Sequence, residues 1–226
     1  MSKRGQVSAF VIIGVVLVVI VALLLFVVKS QISPKESVES VAGAESAEQV
    51  KNFIQSCVED IVPAAIFVVG SHGGYYKENN QLPLTKELME GEIAKGIKEL
   101  MPECVGATNF YGSRVTGNIQ EVNVFGKENS VAVGIHFPLV VVKEGKVFNI
   151  KEPYIIEVPI RLGKVLSVAD TIMKKELHAD SLDLMVLLKT GMDVAIIDEE
   201  PRGYAITDYQ SMVKDIPFTL AFEARK

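Results

Sequence analysis

The chain has 226 residues, 49% of them apolar, with 28 Asp+Glu against 23 Lys+Arg and two cysteines. That composition excludes a wholly disordered chain and a disulfide-built scaffold. A formal net charge of −5 and the lack of any Lys/Arg-rich run exclude the basic face that phosphate contacts need, so no nucleic-acid partner is expected.

Mean hydropathy is +0.29, and part of the excess sits at the N terminus. From Ala9 to Val28 the chain reads AFVIIGVVLVVIVALLLFVV, twenty residues in which only Gly14 falls outside the apolar set and none is charged. As a helix rising about 1.5 Å per residue it spans roughly 30 Å, the thickness of a bilayer's hydrocarbon core, so residues 9–28 predict a lipid partner. The run exceeds the ~7–15 apolar residues of a secretory signal, and no small-residue cleavage site closes it at Phe26–Lys29. Lys3, Arg4 and the α-amino group on one side outweigh Lys29 and Lys35 on the other, which predicts a cytoplasmic N terminus and a chain outside from Ser30 onward.

Residues 30–47 are rich in Ser, Glu and Ala and read as a solvated spacer able to turn helical after Pro34. Val50, Phe53, Ile54, Cys57, Val58, Ile61, Ala65 and Val68 then recur at helical spacing, with a kink or a new segment expected at Pro63. Three glycines in five residues predict a loop from Gly70 to Tyr76. A second helix is predicted from about Lys86 to Met101, capped by Thr85, ended by Pro102 and apolar at Met89, Ile93, Ile97, Leu100 and Met101.

Beyond Cys104 the period drops to two. Val131, Val133, Ile135 and Phe137 alternate with Ala132, Gly134 and His136, the pattern of a strand with one buried face. Further strands are predicted near 119–125, 146–150, 154–162, 192–197, 203–209 and 216–223, with turns at Glu144-Gly145 and Pro201-Arg202-Gly203. Val165, Leu166, Ala169, Ile172, Met173 and Leu177 form a helical stripe, and a short helix is predicted over 181–189. The order predicts an α+β domain over residues 48–226, with helices packed on a mainly antiparallel sheet. It follows a tail or leader at 1–5, a single transmembrane helix at 6–29 and the spacer at 30–47.

In an oxidising compartment Cys57 and Cys104 would pair, clamping the two helices; the alternative is two buried thiols. Neither cysteine sits in a C-x-x-C pair and His72, His136 and His178 are scattered, so no metal and no cofactor is expected. The loop Ser71, His72, Gly73, Gly74, Tyr75, Tyr76 is a candidate binding loop, its glycines letting backbone N–H groups approach a ligand. Its alternative is a helix-ending turn with the tyrosines packed on the sheet. An acyl-transfer role lacks a nucleophile, because no G-x-S-x-G occurs. Asp198-Glu199-Glu200 could attract a hard cation but reads as a solvated hairpin turn, and Glu59-Asp60 as a polar helix face. No P-loop, H-E-x-x-H, EF-hand loop, dinucleotide fingerprint or N-x-[ST] sequon is present, and no catalytic residue is assigned.

Lys3-Arg4-Gly5-Gln6-Val7-Ser8, directly ahead of the apolar run, resembles the class III signal peptide of archaeal type IV pilins and archaellins. The resemblance implies cleavage between Gly5 and Gln6 and an apolar helix that packs into a filament core. Phe10 departs from the pattern, which has Glu at the fifth mature position. The soluble part resembles a group of uncharacterised archaeal membrane-anchored proteins in which a Cys-bearing helix leads into a Gly-Gly-Tyr turn. The expected protein is single-pass, anchored in the cytoplasmic membrane, with a structural or protein-interaction role at the cell envelope, through a protein partner or self-association. The alternatives are a processed pilin-like filament subunit at the cell surface and an envelope enzyme of unknown reaction.

Overall fold

The computed structural model describes residues 38–77, 84–106, 112–177, 190–199 and 202–223. The apolar run 9–28, Gly5, Gln6, His178 and the helix predicted over 181–189 lie outside the described residues. Two compact units divide the chain, Met1–Ala42 and Gly43–Lys226, and the second holds the fold set out below.

That fold is α+β with antiparallel sheets. Its elements are α1 (Val38–Ser71), α2 (Lys86–Gly106), β1 (Arg114–Gly117), β2 (Glu121–Gly126), β3 (Val131–His136), β4 (Leu139–Lys143), β5 (Lys146–Ile150) and β6 (Tyr154–Val158). They are followed by α3 (Leu162–Leu177), β7 (Asp193–Glu199), β8 (Arg202–Val213) and β9 (Ile216–Glu223).

The helices outrun their sequence signals. α1 continues through Pro63 and takes in Gly70, and α2 continues through Pro102. Each proline removes one N–H, and the carbonyls four residues back belong to the exposed Glu59 and Lys98, where water can serve them. α1 takes in positions 38–47 of the spacer, which was expected to be able to turn helical after Pro34. The predicted Thr85 cap is present: its Oγ1 accepts the N–H of Leu88 at 3.2 Å and its carbonyl that of Met89 at 3.1 Å. The stripe Val50, Ile54, Val58, Val62, Ala65, Ile66 and Val69 of α1 is buried against Met89, Ile93, Ile97 and Met101 of α2 in one core cluster. Val68, expected inside, is only partly buried because the stripe passes through Val69 instead.

Among the described residues α1 contributes the one span, Ala47–Ser71, long and apolar enough by length and composition to cross a membrane. Half of that surface is buried inside the fold, and Glu59 and Asp60 are exposed on it. Its buried stripe belongs to the core cluster of the domain.

Among the described residues three sheets stand in place of one, ordered β1-β4-β5, β2-β3-β6 and β7-β8-β9. β1 and β4 carry too few alternating residues to stand out in the sequence. The first two sheets share their chain segments. Residues 114–126, 131–143 and 146–158 each run through both sheets, breaking at 118–120, 137–138 and 151–153. Pro138 and Pro153 stand in those breaks, where a missing N–H interrupts no ladder. Val122, Val124, Val131, Val133, Ile135 and Ile156 face the core, and the residues between them face out. Glu144 and Gly145, both at positive φ, turn β4 into β5 as expected, and Lys214-Asp215 do the same between β8 and β9. Arg202 and Gly203, expected in a turn, belong to β8, where Gly203 pairs with both Asp198 and Glu223.

Candidate functional site

The Cys57 and Cys104 sulfurs are joined, with the two Cα atoms 5.9 Å apart. Cys104 is buried and Cys57 half-buried, so the bond lies at the edge of the α1–α2 contact.

Fourteen residues beyond Cys57, the end of α1 at Ser71 forms a closed turn. The N–H of His72 still donates to Val68 O at 3.1 Å, and the N–H of Gly74 reaches back to Val69 O at 2.8 Å. Gly73, at φ +70°, supplies the left-handed residue of this helix-ending motif, and Gly74 follows at φ +93°. Ser71 Oγ donates to Val68 O at 3.0 Å. His72 Nδ1 lies 3.2 Å from Tyr76 O; a carbonyl only accepts, so Nδ1 carries the proton. The N–H of Tyr76 donates to Glu92 Oε2 at 2.9 Å, and Lys95 Nζ lies 3.5 Å from the other oxygen of that carboxylate.

Close contacts explain the glycines. A Cβ on Gly74 would lie 2.3 Å from Leu84 Cδ1, and one on Gly96 would lie 2.5 Å from the ring of Tyr76. One on Gly70 would lie 2.7 Å from Thr219 O. The loop thus joins the end of α1 to α2 and β9, and Tyr76 packs on helix α2 where the alternative reading put the sheet. Among the described residues no group of His, Cys, Asp and Glu could hold a metal ion. Asp198 and Glu199 stand at the end of β7, and Glu200 lies outside the described residues.

A second cluster escaped the sequence reading. Where β8 passes from Asp208 (opposite Phe218) to Met212 (opposite Pro217), Tyr209, Gln210 and Ser211 bulge out of the ladder. Asp208 is 0% exposed and receives Arg161 Nε on Oδ2 at 2.9 Å and Arg161 Nη2 on Oδ1. Ser211 Oγ and the N–H of Gln210 complete its shell. The N–H of Arg161 donates to Ser211 Oγ at 2.9 Å, while its carbonyl accepts the first N–H groups of α3. Burial would raise the Asp208 carboxyl; the hydrogen bonds from Arg161, Ser211 and Gln210, with the Arg161 charge, outweigh it and hold the group below the usual carboxylate range. The signal was in the alternation: Tyr204, Ile206 and Asp208 share one strand face, and the first two are buried. Chemically the cluster is a closed clamp between the start of α3 and β8, with Ser211 buried and every Asp208 oxygen occupied.

No known protein family, curated protein or solved structure matches this chain.

Proposed function

We propose that the chain is a single-pass membrane protein, anchored by residues 9–28, whose α+β domain lies outside the cytoplasm and has a structural or protein-interaction role at the cell envelope. The Cys57–Cys104 bond carries this reading, because such bonds persist where the surroundings are oxidising and are rare in the cytosol. The charge-free apolar run and the basic residues ahead of it support the anchor and its direction. Polar groups in the Gly-Gly-Tyr loop and at Asp208 bond within the fold, which favours a scaffold. A membrane-impermeant protease added to whole cells should digest the domain. Full protection in intact cells, with digestion after lysis, would reverse the orientation.

A second reading is favoured by the length of α1. α1 is described over 34 residues, Val38–Ser71, and its stripe from Val50 to Val69 lies in the core, a long helix ahead of the sheets of the kind the resemblance to pilin-like subunits would use. On that reading the chain is cut after Gly5 and Gln6 becomes the N terminus. Intact mass decides: loss of Met1–Gly5 supports processing, and retention of Lys3 and Arg4 sinks it.

A further inference from the structure

The last turn of α2 lies on the far side of a proline. Pro102 has no N–H to give the carbonyl of Lys98, and its ring crowds that carbonyl, so the helix ladder is weakest between Met101 and Glu103. Up to Met101 the helix is held by its own buried face, with Met89, Ile93, Ile97 and Met101 all 0% exposed. Beyond Pro102 only residues 103–106 remain, about one turn, and a helix that short does not hold itself in water. Its apolar contacts are Cys104 and part of Val105, against four fully buried side chains before the proline. Cys104 is bonded across to Cys57 of α1, so the covalent tie sits two residues past the weak point. The other sulfur belongs to a half-buried residue at the edge of the helix contact, where a reductant can reach it.

We propose that the Cys57–Cys104 bond is a redox-sensitive latch on the last turn of α2, opened by a dithiol reductant. One thiolate of the reductant attacks the Cys57 sulfur; the Cys57–Cys104 bond breaks, and Cys104 leaves as a thiolate and takes up a proton. The second thiolate of the reductant then displaces Cys57, which takes up the other proton, and the reductant departs as its own disulfide. Two electrons and two protons have passed to the protein. With the tie gone, residues 103–106 leave the helix while the stretch up to Met101 stays in the core, because Pro102 uncouples the two. Oxidised, α2 is ordered through Gly106; reduced, it ends at Met101. The latch rests on the bond and on Pro102, and not on anchoring or processing.

The test uses the full chain in detergent micelles and a protease that cuts after Glu. α2 carries its own internal reference, since Glu90 and Glu92 stand before the proline and Glu103 after it. Reduction with dithiothreitol is expected to raise the rate of cutting after Glu103, relative to Glu90 and Glu92, by about tenfold or more. C57A/C104A should show the raised ratio without any reductant. P102A returns an N–H to the Lys98 carbonyl and couples the turn to the rest of the helix, so its ratio should rise less than about threefold on reduction. Far-UV circular dichroism like that of wild type shows that each variant is folded. Cutting that speeds equally at all three sites means a global loosening and overturns the latch. An unchanged ratio, a C57A/C104A ratio at the oxidised level, or a P102A ratio that rises as far as that of wild type overturns it equally.

Discussion

Arg161 and Asp208, 47 positions apart, meet as a bidentate pair where α3 starts and β8 bulges. Replacing the carboxylate by an amide keeps the shape and leaves a nearly buried guanidinium without its counter-charge. D208N should therefore lose about 3–5 kcal/mol in urea unfolding at neutral pH. The acid side gives an independent check. Because folding holds the carboxyl below its unfolded value of about 3.9, its contribution is full above that pH and lost as pH falls through the folded value. The gap between wild type and D208N should close below about pH 4. A gap constant from pH 7 to pH 2 would show that the charge plays no part.

Tyr154 is 2% exposed and its hydroxyl has no hydrogen-bond partner among the described residues, while burial first and the charge of Glu152 second push its phenol up to about 12. Y154F removes an unserved polar atom and should be as stable as wild type or up to about 1 kcal/mol more so at pH 7. A raised phenol stabilises the fold below about pH 10, and that contribution is lost as pH rises through about 12. Wild type should thus lose more stability than Y154F across that window. Equal alkaline losses would contradict the burial of the hydroxyl.

Gly70 lies inside α1, where helix propensity alone makes alanine better by about 1 kcal/mol. The neighbouring backbone reverses the sign. An alanine Cβ would press on Thr219 O and the Phe218 ring, at 2.7 Å from each, and a strand carbonyl has nowhere to go. G70A should destabilise by about 1–3 kcal/mol. A thermal midpoint at or above that of wild type would mean that β9 does not lie against the helix.

The Cys57–Cys104 bond closes a loop of 47 positions, which in the chain-entropy view corresponds to about 4 kcal/mol as an upper figure. C57A/C104A should lose about 2–4 kcal/mol relative to the oxidised protein, and reduction of wild type a similar amount. Alkylation of the unreduced, unfolded chain followed by mass measurement should find no modified thiol. Two alkylated cysteines before reduction would remove the support for an oxidising compartment.

Much of this fold was legible because burial leaves a period. Met89, Ile93, Ile97 and Met101 mark the α2 face, and Val131, Val133 and Ile135 mark β3, in the plain order of the residues. Local rules failed where distant neighbours decide. Pro63 read as a kink or a new segment and Pro102 as a helix end, yet both helices continue through them. Gly70 read as a loop residue, whereas the closeness of β9 requires glycine there within a helix. The disulfide is expected from two cysteines, one on the first helix and one just beyond the predicted end of the second, in an oxidising compartment, but Arg161 and Asp208 show no spacing that links them. Only an acid in the buried register of β8 hinted at a partner, and it could not name Arg161.

The three segments that run through both β1-β4-β5 and β2-β3-β6 give those sheets a common alignment. The hairpin from Gly126 to Val131, closed by Lys127 N–H on Ser130 O at 2.7 Å, sets it for both at once. A slip of one residue there would turn Val122, Val124, Val133 and Ile135 outward, and would carry Leu139 and Val141 out with them in the neighbouring sheet. Misalignment on one side of the kink cannot be confined to that side, so the two sheets are expected to fold and unfold as one cooperative unit.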